Sequence, residues 1–128
     1  MDPLLDQARK AARRAYAPYS DFPVGAALLT NEGITVTGCN VENAAYGEAI
    51  CAERNAITSA VTAGHLGGPG QSITSIAVIG LKAAPCYPCG SCRQVMREFG
   101  TEYVYVEDGT IAFADLLPHS FGPESLEG

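Results

Sequence analysis

The sequence has little positive charge and no long apolar run. Only 8 of its 128 residues are Lys or Arg, whereas 14 are Asp or Glu, and the formal net charge at pH 7 is −6. A surface with this balance repels a phosphate backbone, so we do not expect a nucleic-acid polymer as a partner. No stretch approaches the ~20 apolar residues of a membrane-spanning helix, and we expect no membrane partner either.

An export signal and a disordered composition are also missing. The first residues lack a basic segment followed by an apolar one, so we expect no secretory signal and a cytoplasmic location. Charged residues make up 17% of the chain and hydrophobic residues 47%, which excludes a disordered chain and allows a sizeable core. The length is typical of one domain, and we expect a single domain over residues 1–128.

The apolar patterns of the chain predict an α/β fold. Apolar positions three and four residues apart indicate helices, and short alternating or β-branched runs indicate strands. Strand–helix–strand passages require crossover connections with parallel pairing, whereas the first two strands are close enough for an antiparallel hairpin. We expect a three-layer α/β/α domain on a mixed sheet of about five strands. The predicted helices cover 4–15, 49–63 and 89–99, and the predicted strands cover 24–29, 34–37, 73–80, 103–106 and 110–113.

The second predicted strand is expected to continue toward Glu42. Side chains two residues apart in a strand share a face of the sheet. Asn40 and Glu42 would therefore point the same way and form a pair of polar groups on one side of the sheet.

Cys89 and Cys92 follow Pro88 at the start of the third predicted helix, and they are two of five cysteines in the chain. Their spacing places both thiols on one helical face. A helix N-terminus carries partial positive charge and free N–H groups, which lower the pKa of a thiol and favour the thiolate that binds zinc. In a chain without an export signal, this C-x-x-C pair indicates metal binding or redox chemistry rather than a disulfide framework.

Cys51 and Glu53 lie near the start of the second predicted helix, two residues apart. That spacing is about 200° of rotation on a regular helix, so the two side chains do not share a helical face. They reach a common point beyond the helix end, which favours a metal between two helix ends. Three thiolates with one open position are typical of a catalytic zinc site, where Glu53 would contact a group bound to the metal. Arg54 is a candidate hydrogen-bond donor to a ligand thiolate.

Other assignments of the cysteines remain open from these patterns alone. Cys86 stands three residues before Cys89 and could close a four-thiolate structural site. We favour the open site, because a proline separates Cys86 from the helix start and turns it away from the helix direction. A disulfide-exchange role for Cys89 and Cys92 would leave Cys51 and Glu53 unexplained.

These motifs resemble those of a known enzyme family. Zinc-dependent nucleoside and nucleobase deaminases share a His- or Cys-x-Glu run followed by P-C-x-x-C, and this chain has CAE at 51–53 and PCGSC at 88–92. The chain is similar to the small homotetrameric cytidine deaminases over nearly its whole length. The matching stretches are YAPYS at 16–20, FPVGAAL at 22–28, GCNVENA at 38–44, CAER at 51–54, PCGSCRQ at 88–94, LLP at 116–118 and SFGP at 120–123.

The resemblance implies a hydrolase of pyrimidine salvage that converts cytidine and 2′-deoxycytidine to uridine and 2′-deoxyuridine with release of ammonia. It implies one Zn²⁺ per subunit, held by Cys51, Cys89 and Cys92. Glu53 would be the catalytic acid and base that moves protons between water, the pyrimidine ring and the amino group. Arg54 would act on the ligand thiolates from outside the metal site.

Substrate-binding roles are also implied by the resemblance. Asn40 and Glu42 would hydrogen-bond the ribose hydroxyls, which agrees with their expected shared strand face. Phe22 would pack against the base or the sugar, and the backbone around Ala52 would bind the pyrimidine edge. The substrate partner is thus a free pyrimidine nucleoside.

The resemblance further implies that the protein binds copies of itself. Tyr46 and Phe121 would complete the pocket of a neighbouring subunit in a homotetramer with shared active sites. Glu48 stands where the family commonly has an apolar residue, and Cys86 with Tyr87 is an unusual pair before the C-x-x-C motif. A deaminase of an analogue nucleoside and a structural-zinc binding module are the alternative functions.

Overall fold

A five-stranded mixed sheet forms the middle of the protein in a computed structural model, which describes residues 3–126. The strands are β1 (Val24–Thr30), β2 (Thr35–Cys39), β3 (Ile73–Gly80), β4 (Tyr103–Val106) and β5 (Gly109–Ala112). Their spatial order is β2-β1-β3-β4-β5. β1 pairs antiparallel with β2 and β3, β3 pairs in parallel with β4, and β4 pairs antiparallel with β5. The predicted mixed sheet with an N-terminal hairpin is confirmed.

Helices cover both faces of this sheet. The helices are α1 (Pro3–Ala12), α2 (Ala52–Thr62), α3 (Gly90–Glu98) and the single turn α4 (Phe113–Leu116), and 3₁₀ turns cover Tyr46–Glu48 and Pro123–Leu126. Because side chains alternate along a strand, neighbouring residues of β1 serve opposite layers. Ala27 packs with α1 residue Leu4, whereas Leu28 packs in the cluster that contains Ile57 of α2 and Met96 of α3. The predicted three-layer α/β/α arrangement is confirmed.

Two strand glycines allow the helices to lie close to the sheet. A Cβ atom at Gly25 would be 2.0 Å from the carbonyl oxygen of Ala8 in α1. A Cβ atom at Gly38 would be 2.4 Å from the backbone nitrogen of Ala56 in α2. Any side chain at Gly38 would therefore push α2 away from the hairpin. This contact matters for the site, because α2 begins directly after Cys51.

Two predicted helix boundaries were wrong, and a long-range backbone contact explains each difference. α1 ends at residue 12 instead of 15, and the chain then turns so that Tyr16 N donates to Asn40 O at 3.0 Å. α2 begins at residue 52 instead of 49, because Ile50 exchanges two backbone hydrogen bonds of 3.0 Å with Val41. Residues 73–80 and 103–106 form strands with the predicted limits.

Within residues 3–126, no helix has the length and apolar character that a membrane crossing requires.

Candidate metal centre and adjoining pocket

Three thiols meet where α2 and α3 begin. Cys51 is the residue before α2 and Cys89 is the residue before α3, and both have an extended backbone, with ψ angles of 154° and 169°. Cys92 lies in the first turn of α3 and is fully buried. Cys51 and Cys89 each precede the first helical residue, so their side chains can fold back toward the free N–H groups of the first turn. Accordingly, Cys92 N donates to Cys89 Sγ at 3.5 Å.

The spacing of the three sulfur atoms fits one zinc ion. They all lie within 4.8 Å of one another. Cys89 Sγ is 3.3 Å from Cys92 Sγ and 4.0 Å from Cys51 Sγ. Thiolates held at ~2.3 Å from one tetrahedral zinc ion are about 3.8 Å apart, so only small shifts would bring all three to bonding distance. No second group of three or more His, Cys, Asp or Glu side chains has metal-binding geometry within residues 3–126.

Cys51 ionises more readily than an ordinary cysteine thiol. A hydrogen bond with Cys92, supported by others from Arg54 and Cys89, lowers the pKa of Cys51 to about 5 despite its partial burial. The hydrogen bond with Cys51, together with burial, raises the pKa of Cys92. Without metal, Cys51 therefore favours the thiolate form, whereas Cys92 favours the protonated form. Metal binding must release the remaining thiol protons, which makes metal affinity dependent on pH.

Arg54 makes the predicted hydrogen bond to the thiol of Cys51. Its Nη2 atom donates to Cys51 Sγ at 3.6 Å, and this hydrogen bond raises the pKa of the guanidinium. The Nε atom of Arg54 is buried and has no hydrogen-bond partner. The guanidinium is therefore placed to offset thiolate charge, and its influence on the metal stays a prediction.

Glu53 lies in the first turn of α2 and is only 4% exposed. Burial raises the pKa of its carboxyl above the ordinary glutamate value, and the negative charge of Cys51 adds to the effect. Glu53 is not a member of the group of three thiols. A carboxyl group with a raised pKa beside a metal site is suited to accept and return a proton near neutral pH.

Cys86 lies outside the thiol group, as the preferred interpretation of the sequence expects. It packs against the end of β3, where a Cβ atom at Gly80 would be 3.3 Å from Cys86 Sγ. Burial raises the pKa of Cys86, and the charges of Glu53 and Glu107 raise it further. Its position outside the group of three neighbouring thiols argues against a role as a fourth ligand.

A cavity of about 380 Å³ lies between the loop before β1 and the segment that precedes α2. Its wall includes Ala49, which precedes Cys51 by two residues in the chain. The ring of Tyr46 makes an edge-to-face contact with that of Tyr19, with the ring centroids 5.9 Å apart. Among the predicted substrate-binding residues, Glu42 and Tyr46 face this cavity. The lining residues are Tyr19, Ser20, Glu42, Asn43, Tyr46 and Ala49.

Asn40 and Glu42 lie beyond the end of β2, so the strand geometry predicted for them was wrong. β2 ends at Cys39, and only an isolated pairing with Tyr16 and Ile50 continues it, at Val41. Both side chains nevertheless reach the same loop, residues 19–24. Asn40 Nδ2 donates to the Phe22 carbonyl at 3.0 Å. Glu42 Oε1 accepts two backbone N–H groups of that loop at 2.9 and 3.1 Å.

The other two predicted substrate-binding residues lie on different elements. Ala52 is the first residue of α2 and is fully buried beside Glu53. Phe121 lies in the C-terminal tail, where its side chain is 58% exposed and its carbonyl oxygen accepts from Gln94 at 2.9 Å. Within one chain, Phe121 does not line the cavity of about 380 Å³ described above.

Sequence reasoning gave no role to the polar side chains of α3 that hold this tail. Arg93 and Gln94 directly follow the C-x-x-C motif, within the stretch 88–94 that resembles the cytidine deaminases. Gln94 stands two residues before the buried Met96 and so lies on the opposite face of α3, which was the available signal for an exposed polar contact. The contacts run from Arg93 Nη1 to Leu116 O at 2.9 Å, from Gln94 Nε2 to Phe121 O at 2.9 Å and from Arg97 Nε to Ser120 Oγ at 2.8 Å.

A family model described as the cytidine and deoxycytidylate deaminase zinc-binding region matches residues 2–108. The chain belongs to this family. It is 42% identical to a cytidine deaminase of Sporosarcina psychrophila, over 98% of this chain and 94% of that protein. It is 41% identical to a cytidine deaminase of Mycobacterium tuberculosis H37Rv, over 96% of this chain and 90% of that protein.

The same relationship holds for the three-dimensional structure. The crystal structure of a cytidine deaminase from Burkholderia pseudomallei superposes with a TM-score of 0.82 at 45% identity, and the match covers 94% of this chain and all of that chain. The α/β/α sheet architecture is thus the fold of the deaminase family. Cys51, Cys89 and Cys92 lie inside the matched zinc-binding region and fit one zinc ion, whereas Phe121 lies beyond that region.

Proposed function

We propose that this chain catalyses the zinc-dependent hydrolysis of cytidine and 2′-deoxycytidine to uridine and 2′-deoxyuridine, with release of ammonia. The observation that carries the proposal is the placement of three thiols at two helix starts, with buried Glu53 beside them. The relatives that match nearly the whole chain are named cytidine deaminases, which supports the choice of substrate.

The reaction needs a nucleophilic water and a group that moves protons. Zinc held by Cys51, Cys89 and Cys92 would supply a Lewis acid that makes water nucleophilic at neutral pH. Glu53 accepts the proton that the attacking water releases and donates it to the ring nitrogen beside the reacting carbon. It then assists proton transfer to the amino group, which leaves as ammonia. The raised pKa of Glu53 suits both directions of transfer, and its burial keeps bulk water from competing.

The nucleoside would lie between the thiols and the cavity. Glu42 faces that cavity, and Asn40 binds the loop that carries Phe22, which supports assigning these residues to contacts with the sugar and one side of the base. The proposal assigns the pyrimidine edge to the backbone at Ala52, directly before Glu53. These four contacts are the substrate contacts that the proposal assigns.

Copies of the chain would complete the site. The side chains of Tyr46 and Phe121 are 77% and 58% exposed, which is unusual for large aromatic groups and supports contacts with a neighbouring subunit. The proposal therefore includes a homotetramer with shared active sites, located in the cytoplasm and acting in pyrimidine salvage. Size-exclusion chromatography with light scattering tests the number of subunits.

The absorbance change that accompanies conversion of cytidine to uridine tests the proposed activity. The zinc-loaded protein is expected to turn over cytidine and 2′-deoxycytidine, with slower turnover of free cytosine, which lacks the sugar that Asn40 and Glu42 would bind. Absence of cytidine turnover in protein that contains one zinc ion per chain would overturn the proposal. Turnover of an analogue nucleoside in its place would select the alternative substrate.

A further inference from the structure

The loop before β1 is held by a short chain of hydrogen bonds that begins at Glu42. Its Oε1 atom accepts from Tyr19 N at 2.9 Å and from Ser20 N at 3.1 Å. Its Oε2 atom accepts from the hydroxyl group of Ser20. These partners lie 22 and 23 residues before Glu42 in the sequence, so the contacts connect separate parts of the chain.

The hydroxyl group of Ser20 also contacts Phe22. While it donates to Glu42, it accepts from Phe22 N at 3.1 Å. The carbonyl group of Phe22 accepts from Asn40 Nδ2 at 3.0 Å, and Asn40 Oδ1 accepts from Val24 N at 2.8 Å. The single hydroxyl group of Ser20 thus links the carboxylate of Glu42 to the backbone that carries the ring of Phe22.

These contacts leave few acceptor sites on the Glu42 carboxylate for a ligand in the cavity. An ionised carboxylate has about four acceptor sites, and three protein donors already occupy sites on Glu42. The remaining capacity is on Oε2, the oxygen atom that Ser20 holds. Ser20 and Glu42 both line the cavity, so the free acceptor site is available to a donor on a ligand.

We infer that Ser20 is a positioning residue for nucleoside binding, which aims Glu42 Oε2 at a sugar hydroxyl group and fixes Phe22 relative to it. The inference depends on the proposed function, because it requires the sugar to bind at Glu42. Ser20 is exposed and packs in neither core cluster, so its replacement should leave the fold intact. The lowered pKa of Glu42, caused first by the Ser20 hydroxyl group, is consistent with this contact.

Steady-state kinetics of Ser20→Ala, Ser20→Thr and the matched control Ser59→Ala test this role. Ser59 is an exposed serine of α2 that does not line the cavity. Ser20→Ala is expected to raise KM for cytidine about tenfold, the effect of losing one hydrogen bond to a charged group, with kcat changed less than about twofold. Ser20→Thr, which keeps the hydroxyl group, is expected to return KM to within about threefold of the original value. Ser59→Ala should change neither constant.

A second substrate separates positioning of Glu42 from a general loss of structure. The nucleoside 2′,3′-dideoxycytidine lacks the secondary hydroxyl groups of the sugar, so it gains less from a correctly aimed carboxylate. Ser20→Ala is expected to lower the ratio of kcat/KM for cytidine to that for 2′,3′-dideoxycytidine. An unchanged ratio, an unchanged KM for cytidine or an equal loss in Ser20→Thr would overturn the role of Ser20. Lack of cytidine turnover by the original protein would instead overturn the proposed function.

Discussion

The thiol group and the proposed nucleoside pocket are held by different kinds of contact. The thiols lie at the starts of α2 and α3, where Cys92 and Glu53 are buried. The pocket is formed by loop 19–24 and by residues 40–49, where side chains hold exposed backbone through hydrogen bonds. The proposed chemistry thus lies in the core, whereas the proposed recognition of the nucleoside lies at the surface.

This difference predicts where substitutions have large effects. Buried groups at the thiol end have no solvent to replace a lost partner, so changes there should abolish steps of the reaction or weaken metal binding. Pocket contacts are partly exposed, and water can replace a lost donor or acceptor. Changes in the pocket should therefore alter substrate affinity more than the rate of the chemical step.

The largest effect is expected for Glu53→Gln. This change preserves shape but removes the group that accepts and returns protons, so kcat should fall by about 10²- to 10⁴-fold. Zinc content should not change, because Glu53 is outside the group of three thiols. Metal analysis and cytidine kinetics of the same preparation measure both quantities. Glu48→Gln, an exposed glutamate on the nearby 3₁₀ turn, is the control. A near-normal rate for Glu53→Gln would contradict the separation of chemistry from recognition.

Arg54→Ala is expected to have the next largest effect. The guanidinium hydrogen-bonds Cys51 Sγ at 3.6 Å, and loss of such a partner to a metal ligand costs about 10- to 100-fold in metal affinity or activity. Competition with a zinc-binding dye measures the affinity, and Arg54→Lys tests whether positive charge alone is sufficient. Unchanged affinity and turnover in Arg54→Ala would show that the contact has no role at the metal site.

The smallest effect is expected for the contribution of Glu42 to folding stability, and this contribution depends on pH. The Ser20 hydroxyl group and then the backbone N–H groups of Ser20 and Tyr19 lower the pKa of Glu42 in the folded protein. A lowered folded-state pKa contributes stability above the unfolded-state pKa, and this contribution is lost as the pH falls through the folded-state value. The stability difference between the original protein and Glu42→Gln should therefore be present at neutral pH and vanish in acid.

Thermal unfolding between neutral pH and pH 3 measures this difference. Because the carboxylate is partly exposed, the change in melting temperature should be small at every pH. A difference of the same size at all pH values would contradict the assignment to an ionised Glu42. Glu48→Gln again serves as the control, since its carboxyl group lies on an exposed turn near the same cavity.

The two regions also differ in how well the sequence predicts them. Local spacing was sufficient to place Cys51, Cys89 and Cys92 near two helix starts, because a helix start determines where its first side chains point. The exclusion of Glu53 from the zinc ligands stays a prediction. The limits of β3 and β4 followed from their dense apolar runs, which suit buried strands.

The pocket was harder to predict because long-range contacts form it. The predicted start of α2 was wrong, since the apolar spacing of Ile50 suits a helix and its pairing with Val41 has no local signal. The hydrogen bonds between Ser20 and Glu42 span 22 residues and lie at the surface, where no hydrophobic periodicity marks them. The resemblance to cytidine deaminases implied that Glu42 binds the sugar, but it did not indicate which residues hold its carboxylate in place.

Zinc titration of metal-free protein tests the central claim most directly. Cytidine turnover is recorded while zinc is added to protein stripped with a chelator and kept reduced. The account predicts that turnover rises in proportion to zinc and reaches its maximum at one zinc ion per chain, the stoichiometry that the three thiols can hold. Full turnover without zinc, or no turnover after one zinc ion has bound to each chain, would contradict it.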